Sequence, residues 1–134
     1  MDERLFTPEE VEALIPDLTR VMDDVMPAHT EAAELGARLH AEQTRVAMSG
    51  GAVIDRAQWR DANARLEALT ARVRDGLAEI ARLGGVPKDL SMGLVDFPHH
   101  RRPEGVVNLC WKYGEREIRY WHGLDEGYAK RKPL

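Results

Sequence analysis

Apolar residues recur at alternating intervals of three and four through most of the first 85 residues, and this spacing sets the fold class. One series runs from Leu18 to Val46 and a second from Trp59 to Leu83. Such spacing places an apolar stripe along one side of a helix, as in a coiled coil. The run Ser49-Gly50-Gly51 between the two series predicts a short turn. We therefore expect two long helices that pack antiparallel as a helical hairpin.

Capping and helix-breaking residues predict where these helices begin and end. Thr7-Pro8-Glu9-Glu10 is typical of a helix start, with a threonine cap and a glutamate that completes a capping box. Pro16 predicts that a short first helix ends or kinks there. Asp55 can cap the last helix, and Gly84-Gly85 is typical of its end. Residues 1–85 are thus predicted to hold a short N-terminal helix and two long helices.

The residues after position 85 have the pattern of strands. Three strands are predicted: Gly93–Phe97, ended by Pro98, then Val106–Trp111, then Glu117 to Trp121 or His122. We expect them to form a small three-stranded antiparallel sheet. The predicted fold is α+β, a single domain over residues 1–134, with the helical hairpin in 1–85 and the sheet and a tail in 86–134.

The turn at residues 112–115 sets the expected pairing of the last two strands. A tight hairpin turn there places Leu109 opposite Ile118 and Cys110 opposite Glu117. Side chains alternate between the faces of a sheet, so this register predicts two sets. One face would carry Val107, Leu109, Trp111, Ile118, Tyr120 and His122, and the other Asn108, Cys110, Glu117, Arg119 and Trp121. Cys110 and His122 are expected on opposite faces, which disfavours a catalytic pair of thiol nucleophile and imidazole base.

The net charge of −4 is unevenly distributed along the chain. Residues 1–85 hold ten Lys or Arg and sixteen Asp or Glu, a balance of −6, whereas residues 86–134 hold nine and seven, a balance of +2. An acidic helical part argues against general nucleic-acid binding. The short basic clusters Arg101-Arg102 and Lys130-Arg131-Lys132 are expected to be a solvated loop and tail, although contact with RNA or the ribosome is a third reading.

No apolar run approaches the roughly twenty residues of a membrane span, and the acidic N-terminus does not resemble a signal peptide. The single cysteine cannot form an internal disulfide, which suits a reducing compartment. We expect a cytoplasmic protein with no membrane partner.

The rarest residue types concentrate in the fourteen residues from Leu109 to His122, which hold the only cysteine, two of three tryptophans and two of three tyrosines. One interpretation is a metal site, because His, Cys, Asp and Glu are the ligands of zinc and iron. The candidate ligands are Asp96, Cys110, Glu117 and His122. Paired Cys-x-x-Cys or His-x-x-x-His spacings do not occur. The other interpretation makes His122 a buried residue bonded to backbone or to one carboxylate.

A small-ligand pocket is a further interpretation of the same run. The candidate ligand-binding residues are Trp111, Glu115, Tyr120, Trp121 and His122. Aromatic clusters of this kind also form ordinary cores and protein interfaces. The sequence alone favours core or interface.

Several segments together resemble one bacterial family. They are Leu5-Phe6-Thr7, Leu14-Ile15-Pro16, Gly93–Pro98, Leu109-Cys110-Trp111 with Gly114-Glu115, Ile118 with Trp121-His122, and Arg131 with Pro133-Leu134. The family is known as domain of unknown function 2203, and some members carry the label division initiation protein. The resemblance spans the chain and implies a small, free-standing bacterial protein, but it implies no activity. His99-His100-Arg101-Arg102 departs from the family pattern, which makes its histidines poor site candidates.

Two functional hypotheses follow. The first is a non-enzymatic, self-associating protein, a dimer or larger homo-oligomer, because a two-helix hairpin leaves apolar surface on its flanks. The second is a metal- or small-ligand-binding protein with a site around His122 and nearby carboxylates, and with zinc or iron as the expected cofactor. Whether such a site is enzymatic is left open.

Overall fold

The structure, a computed structural model, describes residues 4–50 and 55–134. Its elements are α1 (Pro8–Met48), α2 (Arg56–Leu83), β1 (Val86–Asp89), β2 (Leu94–Arg101), β3 (Gly105–Lys112), β4 (Tyr120–His122), a 3-10 helix (Tyr128–Lys130) and β5 (Lys132–Pro133). The strands form one antiparallel sheet in the order β1-β2-β3-β4-β5. The prediction of two long helices followed by an antiparallel sheet is confirmed, but the predicted count of three strands is wrong. The predicted turn at 49–51 lies partly outside the described residues.

The first helix begins after the predicted cap residue, Thr7, but it does not break at Pro16. The Thr7 hydroxyl accepts from the Glu10 amide, and the Glu10 carboxylate accepts from the Thr7 amide. Pro16 and Pro27 both lie inside α1, so the predicted short first helix is wrong. A proline inside a helix costs about 3 kcal/mol, whereas each fully buried apolar side chain contributes about 1.5–3 kcal/mol. Several such side chains flank Pro16 in α1, namely Val11, Ile15, Leu18, Val21 and Met22.

The second helix has both predicted ends. Asp55 accepts hydrogen bonds from the amides of Ala57 and Gln58, which are otherwise without helical partners. Gly84 ends the helix with φ of +99°, a left-handed conformation that glycine adopts without the penalty of a Cβ atom.

The two helices run antiparallel, as predicted. Glu31 of α1 pairs with Arg65 of α2, and Asp24, earlier in α1, pairs with Arg72, later in α2. At Gly76 the helices approach so closely that an added Cβ would overlap the Val25 side chain. None of the described helices is apolar over a long enough stretch to cross a membrane.

The strands that sequence reasoning missed are short edge strands. β1 and β5 each pair with a single neighbour, and both contain a proline, which removes a ladder donor and suits an edge. Strand β2 also continues past Pro98 to Arg101, so the predicted strand end at Pro98 is wrong. β1 pairs with β2 only as far as Asp96. Pro98 is paired with Asn108 of β3, but its carbonyl accepts from the Phe6 amide. The edge of Pro98 that lacks an amide donor therefore faces away from β3, and no strand–strand bond is lost.

The register between β3 and β4 differs from the predicted one by three residues. Leu109 pairs with Trp121 rather than with Ile118, and Asn108 pairs with His122. The chain does turn after Lys112, but β4 begins only at Tyr120 because the intervening residues pack elsewhere. The Ile118 side chain is buried in the core, and its amide donates to the Glu12 carboxylate of α1.

An odd shift exchanges the two faces of a strand, so the predicted face assignment of β4 is wrong. The face toward the helices carries the apolar core residues Val95, Phe97, Val107, Leu109, Trp111 and Trp121. The opposite face carries Asp96, Cys110, Tyr120 and His122. The predicted separation of Cys110 from His122 is therefore also wrong.

Candidate metal centre

Three neighbouring strands bring Asp96, Cys110 and His122 together on the sheet face that points away from the helices. Asp96 of β2 is the direct pairing partner of Cys110 of β3, and His122 of β4 lies on the far side of β3. One ligand atom from each residue lies within 4.8 Å of the others. The three residues are only 2%, 1% and 2% exposed, respectively. Buried polar groups of this kind require partners.

The His122 ring is held by a hydrogen bond at each nitrogen. Its Nδ1 lies 2.8 Å from the Gly123 carbonyl oxygen, which can only accept, so Nδ1 carries a proton and donates. Its Nε2 lies 3.1 Å from Asp96 Oδ1 and 3.1 Å from Oδ2. This agrees with the predicted buried histidine that has a carboxylate partner. A backbone bond at Nδ1 is also the arrangement that directs Nε2 of a histidine to a metal ion.

The Cys110 thiol is held in its protonated form when no cation is present. Burial, followed by the nearby Asp96 charge, raises the pKa of Cys110 to about 12, while the positive charge of Arg131 acts in the opposite direction. A thiol with this pKa is a poor nucleophile at neutral pH. A metal ion at the site would reverse this balance, because a coordinating thiol is deprotonated.

Glu117, the fourth candidate ligand, lies apart from this cluster. Its carboxylate accepts from Arg119 Nε at 2.8 Å, and its side chain is 57% exposed. Such surface ion pairs contribute little to stability.

The candidate ligand-binding residues divide between the two sides of the sheet. Trp111 and Trp121 belong to the core against the helices, and Trp111 Nε1 donates to the Glu115 carbonyl oxygen. Glu115 and Tyr120 lie on the other side of the sheet, which carries Asp96, Cys110 and His122. Together with Arg116, Glu117 and Arg119 they line a surface hollow of about 330 Å³.

Arg131 is the site residue that sequence reasoning missed, because the basic run at 130–132 was expected to be solvated. Its side chain is only 12% exposed, and Nη1 lies 3.1 Å from both carboxylate oxygens of Glu115. Its guanidinium carbon lies 4.2 Å from the ring centre of Tyr120 and 4.4 Å from that of Tyr128. The expectation of a solvated tail is wrong for this residue. The one signal was its membership of the segments that resemble the family.

These contacts place the C-terminal tail (residues 123–134) across the sheet face that carries Asp96, Cys110 and His122. The Lys112 ammonium of β3 lies 5.3 Å from the ring centre of Tyr128, and Arg131 packs on Tyr120 of β4. The tail ends with the Leu134 amide donating to the Arg119 carbonyl. The cluster is therefore enclosed between the sheet and the tail.

The comparisons with known proteins agree with the resemblance noted in the sequence. A family model described as uncharacterized conserved protein, DUF2203, matches residues 4–134. Searches of curated proteins and of solved structures found no match. Because the family model covers essentially the whole chain, the protein belongs to the DUF2203 family.

Proposed function

We propose that the protein binds a divalent transition metal ion, zinc or iron, through Asp96, Cys110 and His122. The observation that carries the proposal is the convergence of their three ligand atoms within 4.8 Å in a buried site. A thiolate, an imidazole and a carboxylate are the donor types that zinc and iron accept. Magnesium and calcium prefer sites built from oxygen atoms alone.

The charges of the three ligands favour a divalent ion. A Cys110 thiolate and an Asp96 carboxylate bring two negative charges, and a His122 imidazole protonated at Nδ1 is neutral. A divalent cation balances these charges, whereas burying them without compensation costs several kcal/mol per ion. The ion would therefore stabilise the folded chain, and its binding would release the Cys110 proton.

The number of ligands favours an ion that can exchange a bound molecule. In the described part of the chain, the grouped ligand residues are these three. Catalytic zinc sites supply three protein ligands and leave the fourth position to water or substrate, whereas structural sites supply four. We therefore extend the proposal to a centre whose fourth position takes water or a small ligand.

Cobalt titration of protein purified without an affinity tag tests this proposal. Cobalt bound to a thiolate absorbs in the near ultraviolet, so wild-type protein should show this band at one equivalent of metal. Cys110→Ser should lose the band, and Asp96→Asn should weaken binding by about ten-fold or more. Glu117→Gln, an acidic residue of the same sheet region outside the cluster, is the matched control and should titrate as wild type.

Elemental analysis and thermal denaturation complete the test. Tag-free protein should carry zinc or iron, and added metal should raise the melting temperature of metal-free protein. Absence of bound metal, together with no thermal shift from zinc, iron, manganese or cobalt, would overturn the proposal.

We also propose that the protein self-associates through the end of the helical hairpin far from the sheet. Here the buried core is a small cluster of Ala28, Leu35 and Leu69. Leu39 and Trp59 remain only partly buried and line a hollow of about 500 Å³. A second copy would cover this apolar surface, which a two-helix layer cannot bury by itself.

Light scattering over a range of concentrations tests self-association. The expected result is a mass above that of one chain at micromolar concentration, lowered by Trp59→Ala. Val106→Ala, a partly exposed apolar residue of the sheet, is the control and should keep the wild-type mass. A compact wild-type monomer at micromolar concentration would remove this second candidate.

The state of Cys110 supports a cytoplasmic location, because a thiolate ligand requires a reduced cysteine. Weak nucleic-acid binding is supported by the pairing of the basic clusters: Arg131 turns inward to Glu115, and Lys132 Nζ lies 2.5 Å from Glu126. These pairs leave fewer cations to neutralise phosphates.

A further inference from the structure

We propose that Arg131 fastens the C-terminal tail over the proposed metal site through Glu115, Tyr120 and Tyr128. The functional meaning of this inference rests on the proposed metal binding, because a fastened tail would control how an ion reaches its ligands. The fastening itself is a property of the metal-free protein and can be tested without an ion.

The tail has few other attachments to the sheet. Strand β5 pairs with β4 over two residue pairs, Tyr120–Pro133 and Trp121–Lys132. Beyond these, the Leu134 amide donates to the Arg119 carbonyl. Glu126 accepts from the Gly123 amide at 2.7 Å and from Lys132 Nζ at 2.5 Å, but both of these bonds lie within the tail itself. A segment held by so few bonds to the rest of the molecule opens more readily than the core beneath it.

Arg131 makes the contacts that tie the tail to the sheet. Its guanidinium stacks between Tyr120 of β4 and Tyr128 of the tail, and its Nη1 reaches Glu115 in the turn after β3. The positive charge of the same guanidinium also acts on Cys110, against the rise in the pKa of its thiol. One side chain thus joins the tail to β4 and to the turn after β3.

The chemistry of the guanidinium fits this position. A Cys110 thiolate bound to an ion would keep the positive charge of Arg131 nearby, and groups that interact with metal ligands in this way strengthen binding. Glu115 balances the Arg131 charge when Cys110 is protonated. Lysine cannot replace these contacts, because it lacks the planar group that stacks between two rings while it donates to a carboxylate.

Burial makes the tail an obstacle to ligand exchange. Asp96, Cys110 and His122 are each at most 2% exposed. An ion or a thiol reagent can therefore reach them only when the tail moves away from the sheet. Release of Arg131 from its partners is the step that opens the site. Exchange should therefore become faster when this contact is weakened.

The single cysteine makes tail opening measurable in the metal-free protein. Labelling of Cys110 with an aromatic disulfide reagent reports how often the site is exposed. Arg131→Lys should accelerate labelling about ten-fold or more. Arg119→Lys, an exposed arginine paired with Glu117 in the same region, is the matched control and should label at the wild-type rate.

Low concentrations of urea separate tail opening from loss of the whole fold. Local opening exposes little surface, so its labelling rate should change little with urea, whereas labelling through global unfolding rises steeply. A urea-insensitive acceleration in Arg131→Lys supports the proposal. Equal rates in Arg131→Lys and wild type, or an acceleration that follows global unfolding, would overturn it.

Labelling in the presence of zinc tests whether the fastened tail controls metal exchange. Zinc should protect Cys110 from labelling in wild-type protein, and a chelator should remove it faster from Arg131→Lys than from Arg119→Lys. If zinc gives no protection in wild type, the proposed metal binding fails while the labelling rates without metal still decide the fastening. If zinc protects but both variants release it at the wild-type rate, the fastening role of Arg131 is overturned.

Discussion

The Nε2 atom of His122 lies 3.1 Å from both carboxylate oxygens of Asp96, between the sheet and the C-terminal tail. The Nδ1 proton of His122 is donated to the Gly123 carbonyl. A second proton, shared between Nε2 and the Asp96 carboxylate, makes the hydrogen bond between these two groups in the metal-free protein. A metal ion would take the place of that proton. The same two residues therefore support the fold without metal and would supply two ligands to the proposed ion.

Asp96→Ala should lower the free energy of unfolding of the metal-free protein by about 1–3 kcal/mol, because it leaves the buried Nε2 of His122 without a partner. Asp96→Asn keeps an oxygen at the same place and should cost less. Urea denaturation in the presence of a chelator measures both variants. Equal losses in the two variants would show that the hydrogen bond is not what stabilises this position.

Gly76→Ala should destabilise the protein although alanine is the better helix former. Its Cβ would overlap the Val25 side chain where the helices meet, and overpacking of this kind costs about 1–3 kcal/mol, against a gain of about 1 kcal/mol in helix propensity. Gly36→Ala is the matched control, since nothing lies within 4 Å of the added Cβ. Thermal denaturation should show a lower melting temperature for Gly76→Ala and a higher one for Gly36→Ala.

Thr7→Ala should cost about 1 kcal/mol through loss of the N-cap of α1. The Thr7 hydroxyl accepts from the Glu10 amide at 3.1 Å, so its removal leaves that amide without a protein partner. Chemical denaturation provides the measurement. Thr44→Ala, at an exposed interior position of the same helix, should leave stability unchanged or slightly raised, and a similar loss in both variants would argue against the cap.

Glu126 should make the stability of the tail depend on acid pH. Its hydrogen bond from Lys132, with the Gly123 amide next, lowers the pKa of Glu126 from its ordinary value of 4.5. Since the pKa is depressed in the folded state, this stabilisation is present above pH 4.5 and is lost as the pH falls through the folded value. Cys110 labelling as a function of pH cannot report this directly, because the thiol itself titrates. Amide hydrogen exchange of the tail can.

The comparison that isolates this effect is wild type against Glu126→Gln. The amides of the tail should be better protected in wild type at neutral pH, and the difference should shrink as the pH falls below 4.5. A difference that stays constant from neutral to acid pH would contradict the assigned role of the Glu126 charge.

The helical part could be predicted because its signals are local. Thr7, Asp55 and Gly84 mark helix ends through contacts with residues a few positions away. The predicted helix break at Pro16 is wrong for a tertiary reason. Burial of the neighbouring apolar residues against α2 and the sheet outweighs the free-energy cost of a proline inside the helix. Local sequence carries no measure of that burial.

The residues of the candidate site could be named from the sequence, but their arrangement could not. Asp96, Cys110 and His122 were all metal candidates, yet the assumed tight hairpin placed Cys110 and His122 on opposite faces. What sets the true register is long-range: the Ile118 amide bonds to Glu12, 106 positions away. Arg131 was missed for the same reason, because nothing near it in sequence indicates that it turns inward to Glu115.

The position of β4 along β3 decides which face of the sheet His122 occupies. Successive residues of a strand point to opposite faces, so His122 shares a face with Cys110 in the observed register, which pairs Asn108 with His122. If a deletion or insertion in the connection between β3 and β4 moved β4 along β3 by one position, His122 would face the helices and its neighbour would face the tail, whereas a movement of two positions would restore the face. The register of β4 against β3 is thus as much a part of the site as the identity of the residues that form it.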